Sequence, residues 1–232
     1  MSVQWAPEAE RGTPYWWAAL DAPEPGQDLP DRCDLLVIGA GYAGLSAALA
    51  AQECGARVVV VDAGEPGRGA STRNGGMFGA HPRLGWSELA RKFGAEVADA
   101  LFAEAKPSLE WVKALIEANA IDCDLQETGR IQLAWTRGHF ANQRRLAKTV
   151  TEKSEVEARI VERADLGQEI ATGHYFGGLL LPEHCAIHPA KFHQGLLRAV
   201  RARGIPVVSH APVTALEAAG TEHLAHTPKG RI

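Results

Sequence analysis

One stretch near the N-terminus, residues 34–62, constrains what this chain can fold into more than any other. It reads DLLVIGAGYAGLSAALAAQECGARVVVVD, two apolar runs separated by glycines and an alanine-rich segment. Gly39, Gly41 and Gly44 have the spacing G-x-G-x-x-G, and Asp62 ends the second apolar run, 23 residues after Gly39. The pattern predicts a buried strand, a tight turn, a helix and a second strand, which together form a unit that binds dinucleotides.

Each position of this pattern has a physical role. Gly39 permits a sharp turn out of the strand, Gly41 lets the backbone approach a pyrophosphate, and Gly44 lets the helix pack closely on the sheet. The helix is expected to begin near Tyr42, where its first amides and the positive end of its dipole point at the phosphates. Asp62 can accept hydrogen bonds from both ribose hydroxyls. The predicted cofactor residues of this unit are Gly39, Ala40, Gly41, Tyr42, Ala43, Gly44, Asp62 and Ala63.

A membrane span or a signal sequence is the main alternative for this alanine-rich stretch. About 18 or more consecutive apolar residues are needed to cross a bilayer, and Gly, Ser, Gln and Glu interrupt the run here. The first thirty residues are polar, proline-rich and acidic, unlike the basic start of a signal peptide. We therefore expect a dinucleotide-binding unit and no membrane segment.

Composition argues against several classes of partner. The chain has 232 residues, 46% of them hydrophobic and 22% charged, with a net charge of -4, as is ordinary for a globular protein. This charge argues against a nucleic-acid-binding surface and against a polybasic membrane anchor. The four cysteines are scattered without a C-x-x-C pair, which favours reduced thiols in a cytoplasmic protein over a disulfide framework or a zinc site.

The rest of the chain divides into segments with their own periodicity. Residues 1–30 are rich in tryptophan and proline, and we expect an arm whose aromatic side chains dock on the body of the protein or on a partner subunit, so a homo-oligomer stays open. The later pattern predicts helices over 85–120 (divided into two at Pro107), 139–154 and 189–203, and short strands on either side of Gly129 within 121–136, over 175–182, and in the tail at IPVVSH, VTALEA and HLAHTP.

The last residues have the pattern of an unfinished hairpin. Lys229-Gly230 is a turn sequence, and Arg231-Ile232 have the character of a strand that has just begun. A two-residue turn needs two arms that pair with each other. We therefore expect the chain to be the N-terminal part of a longer protein.

A second glycine-rich segment, residues 69–77, follows Asp62 and reads GASTRNGGM. A flexible Gly/Ser connection is the ordinary alternative for such a segment. With these two motifs the chain resembles the D-amino-acid-oxidase-like superfamily of FAD-dependent oxidoreductases and, within it, the bacterial γ-glutamylputrescine oxidoreductase group. The matching residues span essentially the whole chain and are Tyr15-Trp16, VIGAGYAGLSAAL, GASTRNGG, Gly178-Leu179-Leu180, His188-Pro189, Gln194-Gly195-Leu196 and Pro212-Val213-Thr214.

The resemblance implies an α/β fold with two domains. A Rossmann-like FAD-binding domain of the glutathione-reductase type would comprise residues 31–80 and 189–232, and a mixed α+β substrate domain, residues 81–188, would be inserted between its parts. The family's C-terminal portion is absent from the sequence, so we expect this fold to be incomplete at the C-terminus. Members of the superfamily often carry Glu where this chain has Asp62.

The resemblance also implies that the cofactor is FAD and that the second segment binds it. Small residues at 69–71 would let the backbone run beside the flavin phosphate and ribityl chain, and Gly75–Met77 would pass beside the flavin ring. Arg73 would balance negative charge, and the backbone of Val213 would face the adenine. The segment adds these residues to the predicted site: Gly69, Ala70, Ser71, Arg73, Asn74, Gly75, Gly76, Met77 and Val213.

The chemistry implied by the resemblance is oxidation of the C–N bond of an amine, such as a γ-glutamylated polyamine. A hydride would pass from the carbon that bears the nitrogen to flavin N5. Hydrolysis of the imine would give an aldehyde, and molecular oxygen as acceptor would give hydrogen peroxide. This chemistry needs a neutral amine against the flavin more than a protein base, so we assign no catalytic acid or base.

Three alternatives remain open at this stage. A glycine, sarcosine or D-amino-acid oxidase or dehydrogenase would need an arginine that binds a carboxylate, and the sequence reveals none. An NAD-dependent dehydrogenase would leave residues 69–77 without a role. An inactive, truncated dinucleotide-binding fragment agrees with the abrupt end at Ile232.

Several other polar and aromatic clusters carry weaker expectations. A metal site at His184, His188 and His193 is not expected, because Pro189 interrupts any shared helix face and no acidic or cysteine cluster completes a ligand set. His188 is instead expected to hold a strand-to-helix turn. Trp135 is expected either to line the substrate cavity or to belong to the core.

Overall fold

The structure, a computed structural model, describes residues 13–20 and 26–232. In chain order its strands and helices are β1 (Leu35–Ile38), α1 (Tyr42–Glu53), β2 (Val58–Val61), β3 (Met77–Gly79), α2 (Trp86–Phe93), α3 (Ala95–Ala103), α4 (Ala105–Ala118), β4 (Arg130–Leu133), α5 (Arg137–Ser154), β5 (Arg159–Glu162), α6 (Leu166–Glu169), β6 (Gly177–Leu181), β7 (His184–Ala186), α7 (Pro189–Ala202), β8 (Val207–Val208), β9 (Ala215–Ala219), β10 (Glu222–Thr227) and β11 (Gly230–Arg231), together with 3₁₀ helices at Tyr15–Ala19 and Ala70–Thr72.

The chain folds into two units. The first comprises the described residues up to Gly75, together with Ala118–Cys123 and His188–Ile232. The second comprises Gly76–Glu117 and Asp124–Ile187. These units differ from the predicted domains in three places: residues 76–80 lie in the second unit, and residues 118–123 and His188 lie in the first. The parts of the predicted N-terminal arm at 1–12 and 21–25 lie outside the described residues.

The first unit contains a parallel sheet in the order β1-β2-β8. All four valines of β2 are buried, because a central parallel strand is covered on both faces. Helix α1 connects β1 to β2 and buries Leu45, Ala48 and Leu49 at the three- and four-residue spacing of one helix face. The predicted strand–turn–helix–strand unit over residues 34–62 is therefore confirmed.

A second sheet of the first unit is antiparallel, in the order β11-β10-β9. Its buried Ala225 shares a core with valines of β2 and β8 and with Ile232. Strand β11 pairs with β10 through the turn Pro228–Lys229, one residue earlier than the sequence predicted. Ile232 adds backbone hydrogen bonds to Ala225 in both directions, at 2.8 and 3.1 Å.

The second unit combines helices α2–α6 with an antiparallel sheet in the order β4-β6-β5 and a two-stranded sheet, β3-β7. Its core includes Leu89, Phe102, Leu109, Val150 and Leu179. These apolar side chains come from four helices and the central strand β6, as expected where helices pack on one face of an antiparallel sheet.

The helical region 85–120 differs from the prediction. The sequence divided it in two at Pro107, but the structure has three helices, with breaks at Gly94 and Glu104. Gly94 has a φ of 91°, which glycine adopts without strain. Pro107 is the third residue of α4, where its missing N–H has no intrahelical acceptor to lose.

Other local predictions also needed correction. Residues 121–136 contain one strand, β4, and not two, because the segment before Gly129 contributes only an isolated bridge from Gln126 to Ala186. Trp135 is 66% exposed and lies edge-on to Tyr175 with ring centroids 4.8 Å apart, so of its two alternatives the core position was wrong. Within the described part of the chain, no helix is both long and apolar enough to cross a bilayer.

Candidate cofactor site

The end of β2 and the turn after β1 are tied together by the carboxylate of Asp62. Its Oδ2 accepts a hydrogen bond from the amide of Ala40 at 2.7 Å, and its Oδ1 accepts one from Gly64 at 3.0 Å. Gly39 makes the turn with a φ of 104°, a region favoured by glycine. A carboxylate has about four acceptor positions, so Asp62 keeps acceptor capacity for ribose hydroxyls.

Close packing of α1 on this turn explains the third glycine. A Cβ on Gly44 would lie 1.9 Å from the carbonyl oxygen of Gly39, far inside any van der Waals contact. Gly44 is therefore required by the contact between helix and turn. This is the role that the sequence pattern predicted for it.

The N-cap residue of α1 is a glycine and supplies no side-chain cap. Gly41 is the N-cap residue, and the first backbone bond of the helix runs from Leu45 to Gly41 at 2.9 Å. The amides before Leu45 therefore have no partner within the helix. Ser71 reaches this helix end from the second glycine-rich segment, where its Oγ accepts from the amide of Tyr42 at 3.1 Å. Amides at a helix N-terminus that have no partner within the helix can bind an anion.

The second segment is folded on itself by its own polar side chains. Asn74 donates through Nδ2 to the carbonyls of Ala70 and Ser71, at 3.1 and 3.0 Å. Arg73 donates through Nε to the carbonyl of Arg68 at 3.0 Å. Thr72 is buried, and its hydroxyl donates to the carbonyl of Gly67. The segment is an ordered loop, and we call residues 67–75 the second loop.

His193 of α7 holds the glycine turn through a hydrogen bond to its backbone. Its ring is 3% exposed, and Nε2 donates to the carbonyl of Ala40 at 2.7 Å. Burial lowers the pKa of this imidazole, so the neutral form is favoured. The ring also fills the space beside Gly67, where a Cβ would lie 2.6 Å from it. This role of His193 was not predicted from the sequence, because α7 and the turn lie far apart along the chain.

Tyr42 connects α1 to α7. Its hydroxyl donates to the carbonyl of Pro189 at 2.8 Å, and burial raises its pKa to about 12. The phenol ring also packs on Phe192, with ring centroids 5.0 Å apart. The side chain of Tyr42 is therefore engaged within the first unit, and its backbone amide is bonded to the hydroxyl of Ser71.

The remaining predicted residues lie in three places. Gly69 and Gly75 are exposed on the second loop, and Val213 lies in the connection between β8 and β9. That connection leaves the sheet beside Asp62, whose carbonyl accepts from Ala211 at 2.8 Å. Gly76 and Met77 belong to the second unit. There Gly76 accepts from Ile187 at 2.8 Å, and Met77 opens β3 with 63% of its surface exposed.

The three histidines do not form a metal site. His188 is the N-cap of α7, and its Nδ1 accepts from the amide of Lys191 at 3.2 Å, which agrees with its expected role in a turn. His184 lies on β7 in the second unit, whereas His193 contacts Ala40. Over residues 13–20 and 26–232, no group of three His, Cys, Asp or Glu side chains has a metal-binding arrangement.

The site brings together the groups that a dinucleotide requires. A half-buried carboxylate lies at the end of β2, and the first amides of α1 lie at its N-terminus, where the hydroxyl of Ser71 accepts from one of them. The residues present therefore fit the adenosine ribose and pyrophosphate of FAD. No acid–base pair is required for such binding.

Fold and site together define a protein with a Rossmann-type dinucleotide-binding unit. Residues 34–232 match the family DAO, described as FAD dependent oxidoreductase, and the chain belongs to this family. FAD is therefore the cofactor, and the alternative of an NAD-dependent dehydrogenase is set aside.

Known relatives agree with this assignment. The chain is 28% identical over 225 residues to gamma-glutamylputrescine oxidoreductase of Escherichia coli, a match that covers 96% of this chain and 52% of the relative. Its fold is similar to L-amino acid deaminase from Proteus myxofaciens (TM-score 0.75, 19% identity, 91% of this chain and 45% of the other) and to glycine oxidase from Geobacillus kaustophilus (0.71, 20%, 87% and 53%). The chain spans about half the length of the curated relatives it matches.

Proposed function

We propose that this protein is an FAD-dependent oxidoreductase that oxidises the C–N bond of a small amine, with γ-glutamylputrescine as the model substrate. The observation that carries the proposal is the Asp62 carboxylate, anchored between the amides of Ala40 and Gly64 beside a helix terminus whose N-cap residue is glycine. The choice of an amine is supported by the relative named gamma-glutamylputrescine oxidoreductase, to which nearly the whole chain aligns.

The proposed roles follow from the polar groups that the site presents. Asp62 accepts from the adenosine ribose, the amides of Ala43 and Gly44 face the pyrophosphate, and Ser71 closes the helix end. Arg73 on the second loop contributes positive charge, and Val213 offers its backbone to the adenine. Gly69, Ala70 and Gly75 have small side chains, which let the backbone of the second loop pass close to the cofactor. Gly76 and Met77, which follow in the chain, are proposed to pass beside the flavin ring.

The bound flavin supplies a two-electron acceptor for the amine. No side chain of the chain is proposed as a catalytic acid or base. We propose the second unit as the substrate domain. Molecular oxygen as acceptor, a cytoplasmic location and a homo-oligomeric state are further parts of the proposal.

The test begins with the absorption spectrum of the purified chain after incubation with FAD and desalting. A retained flavin band is expected. Anaerobic addition of γ-glutamylputrescine, putrescine, glycine, sarcosine and D-alanine, one at a time, should then bleach the band with the γ-glutamylated amine. Bleaching by an amino acid alone would favour the glycine or D-amino-acid alternative, and retained flavin without bleaching would favour a non-catalytic FAD-binding fragment.

Matched variants connect the spectrum to the site. Asp62→Asn removes the ribose-binding charge, whereas Asp122→Asn changes an exposed carboxylate of the same unit. We expect the first variant to lose the flavin band and the second to keep it. Equal flavin retention in both variants would contradict the assignment of Asp62.

A further inference from the structure

The 3₁₀ helix Tyr15–Ala19, here called the aromatic strap, lies on the second loop. Trp17 donates through its indole Nε1 to the hydroxyl oxygen of Thr72 at 2.8 Å, and Trp16 donates to the carbonyl of Asn74 at 2.8 Å. These contacts join residues 55 and 58 positions apart in sequence. Both indole N–H groups are therefore directed at the loop that the proposed function assigns to FAD.

Trp17 also organises the charge of the loop. The guanidinium carbons of Arg68 and Arg73 lie 4.0 and 4.6 Å from the centroid of its ring. Each contact is a cation–π interaction. The indole therefore holds two like charges that would otherwise repel each other, and one of them, Arg73, belongs to the proposed cofactor site.

The strap extends this support to the interior and to α7. The hydroxyl of Thr72 accepts from Trp17 and donates to the carbonyl of Gly67, so the indole begins a hydrogen-bond chain that leads into the loop. Trp16 lies edge-on to the His188 ring, with centroids 4.9 Å apart. The strap thus connects the second loop to the N-terminus of α7.

Burial contributes little to the position of the strap. None of its five residues is buried, and Tyr15 is 83% exposed. The loop beneath it is also exposed at Arg73 and Asn74. The indole contacts therefore add to the hydrogen bonds that Arg73 and Asn74 make within the loop, and together these contacts hold the exposed part of the loop in its conformation.

We propose that the aromatic strap is a positioning element for FAD, and that Trp16 and Trp17 hold the second loop in the conformation that binds the cofactor. The inference rests on the proposed function, in which this loop binds FAD. Loss of the contacts of the strap lowers the fraction of molecules whose second loop has the FAD-binding conformation. The apparent affinity for FAD falls by the same factor. By reciprocity, bound FAD stabilises the strap.

The test compares the FAD dissociation constants of the full chain and its variants by flavin fluorescence titration. Trp17→Ala removes one hydrogen bond and two cation–π contacts, and we expect affinity to fall about tenfold or more. Trp17→Phe keeps a ring for both guanidiniums but loses the N–H donor, and a fall of about threefold to fivefold is expected. Trp111→Phe changes an exposed tryptophan of α4, and this variant should bind FAD with the affinity of the wild type.

A control separates positioning from general stability. Val150→Ala opens a cavity in the core of the second unit and should lower the melting temperature without changing FAD affinity. Chymotrypsin cleavage at the strap should be slower with saturating FAD in the wild type. If Trp17→Ala binds FAD with wild-type affinity and FAD does not protect the strap, the inference is overturned. If the wild type itself fails to retain FAD, the proposed function fails instead.

Discussion

Gly44→Ala tests the contact on which the geometry of the cofactor turn depends. The added Cβ would lie 1.9 Å from the carbonyl oxygen of Gly39, and real Cβ atoms essentially never approach another atom within 3.0 Å. The obstructing atom belongs to the backbone of a turn that is held by hydrogen bonds from Gly39 to Val61 and from Ala40 to Asp62. Rotation of a side chain cannot relieve the clash, so α1 must move away from the turn by about 1 Å.

The energetic effect has two opposing parts. Overpacking costs about 1–3 kcal/mol and sometimes more, whereas Ala in place of Gly inside a helix gains about 1 kcal/mol. Because the added Cβ meets a backbone atom that cannot rotate away, we take the upper end of the cost. The expected net loss in the free energy of unfolding is then about 2 kcal/mol. For a chain of this length, that corresponds to a melting temperature lower by roughly 4–8 °C. The displaced helix terminus should also weaken FAD binding at least about tenfold.

Thermal unfolding followed by circular dichroism, together with flavin retention after desalting, measures both effects. Two glycine variants calibrate the result. Gly173→Ala places its Cβ where no atom lies within 4 Å and should behave as the wild type, whereas Gly41→Ala contacts only the Oγ of Ser71, at 3.0 Å. We expect Gly41→Ala, which changes the N-cap residue of α1, to lower the melting temperature less than Gly44→Ala does and to weaken FAD binding. A Gly44→Ala protein that melts within about 1 °C of the wild type would refute the reasoning.

Three further predictions concern other polar groups. Asp62→Ala should lower the free energy of unfolding by about 2–4 kcal/mol in urea titrations even without FAD, because two amides lose a charged acceptor; a change only in FAD binding would contradict this structural role. His193→Phe leaves the buried carbonyl of Ala40 without its donor and should cost about 1–3 kcal/mol in the same assay, with partial recovery in His193→Gln; equal values for the two variants would count against the hydrogen bond. Burial lowers the pKa of His184 from its ordinary 6.5 to about 4, so the unfolded chain binds a proton at higher pH than the folded chain. The free energy of unfolding should therefore fall by roughly 3 kcal/mol as the pH is lowered from 6.5 to 4. His184→Gln should flatten that part of the plot of unfolding free energy against pH.

The residues of the first glycine motif could be predicted from the local sequence. Gly39, Gly41, Gly44 and Asp62 lie within one strand–turn–helix–strand unit, in which each residue acts on neighbours fixed by the same short chain. Local periodicity likewise predicted α5 and α7, since each presents an apolar face to one core. Resemblance to a flavoprotein family pointed to the second loop, and the family match confirmed FAD.

Short elements were less readable. Strands β3 and β7 have three residues each, too few for an alternating pattern to stand out from a loop. The break between α2 and α3 was missed because the apolar spacing continues across Gly94, whose positive φ interrupts the helix.

The amino-acid sequence by itself thus determined the dinucleotide-binding unit, its glycine turn and its ribose-type acid, because these depend on backbone conformation and on contacts between near neighbours. The tertiary structure alone decided that His193, 153 positions from Ala40, bonds to the turn, and that Trp17, 55 positions from Thr72, contacts two arginines on the second loop. Such partners are chosen by the packing of whole elements, since a buried carbonyl or hydroxyl accepts whichever donor the fold brings within hydrogen-bonding distance.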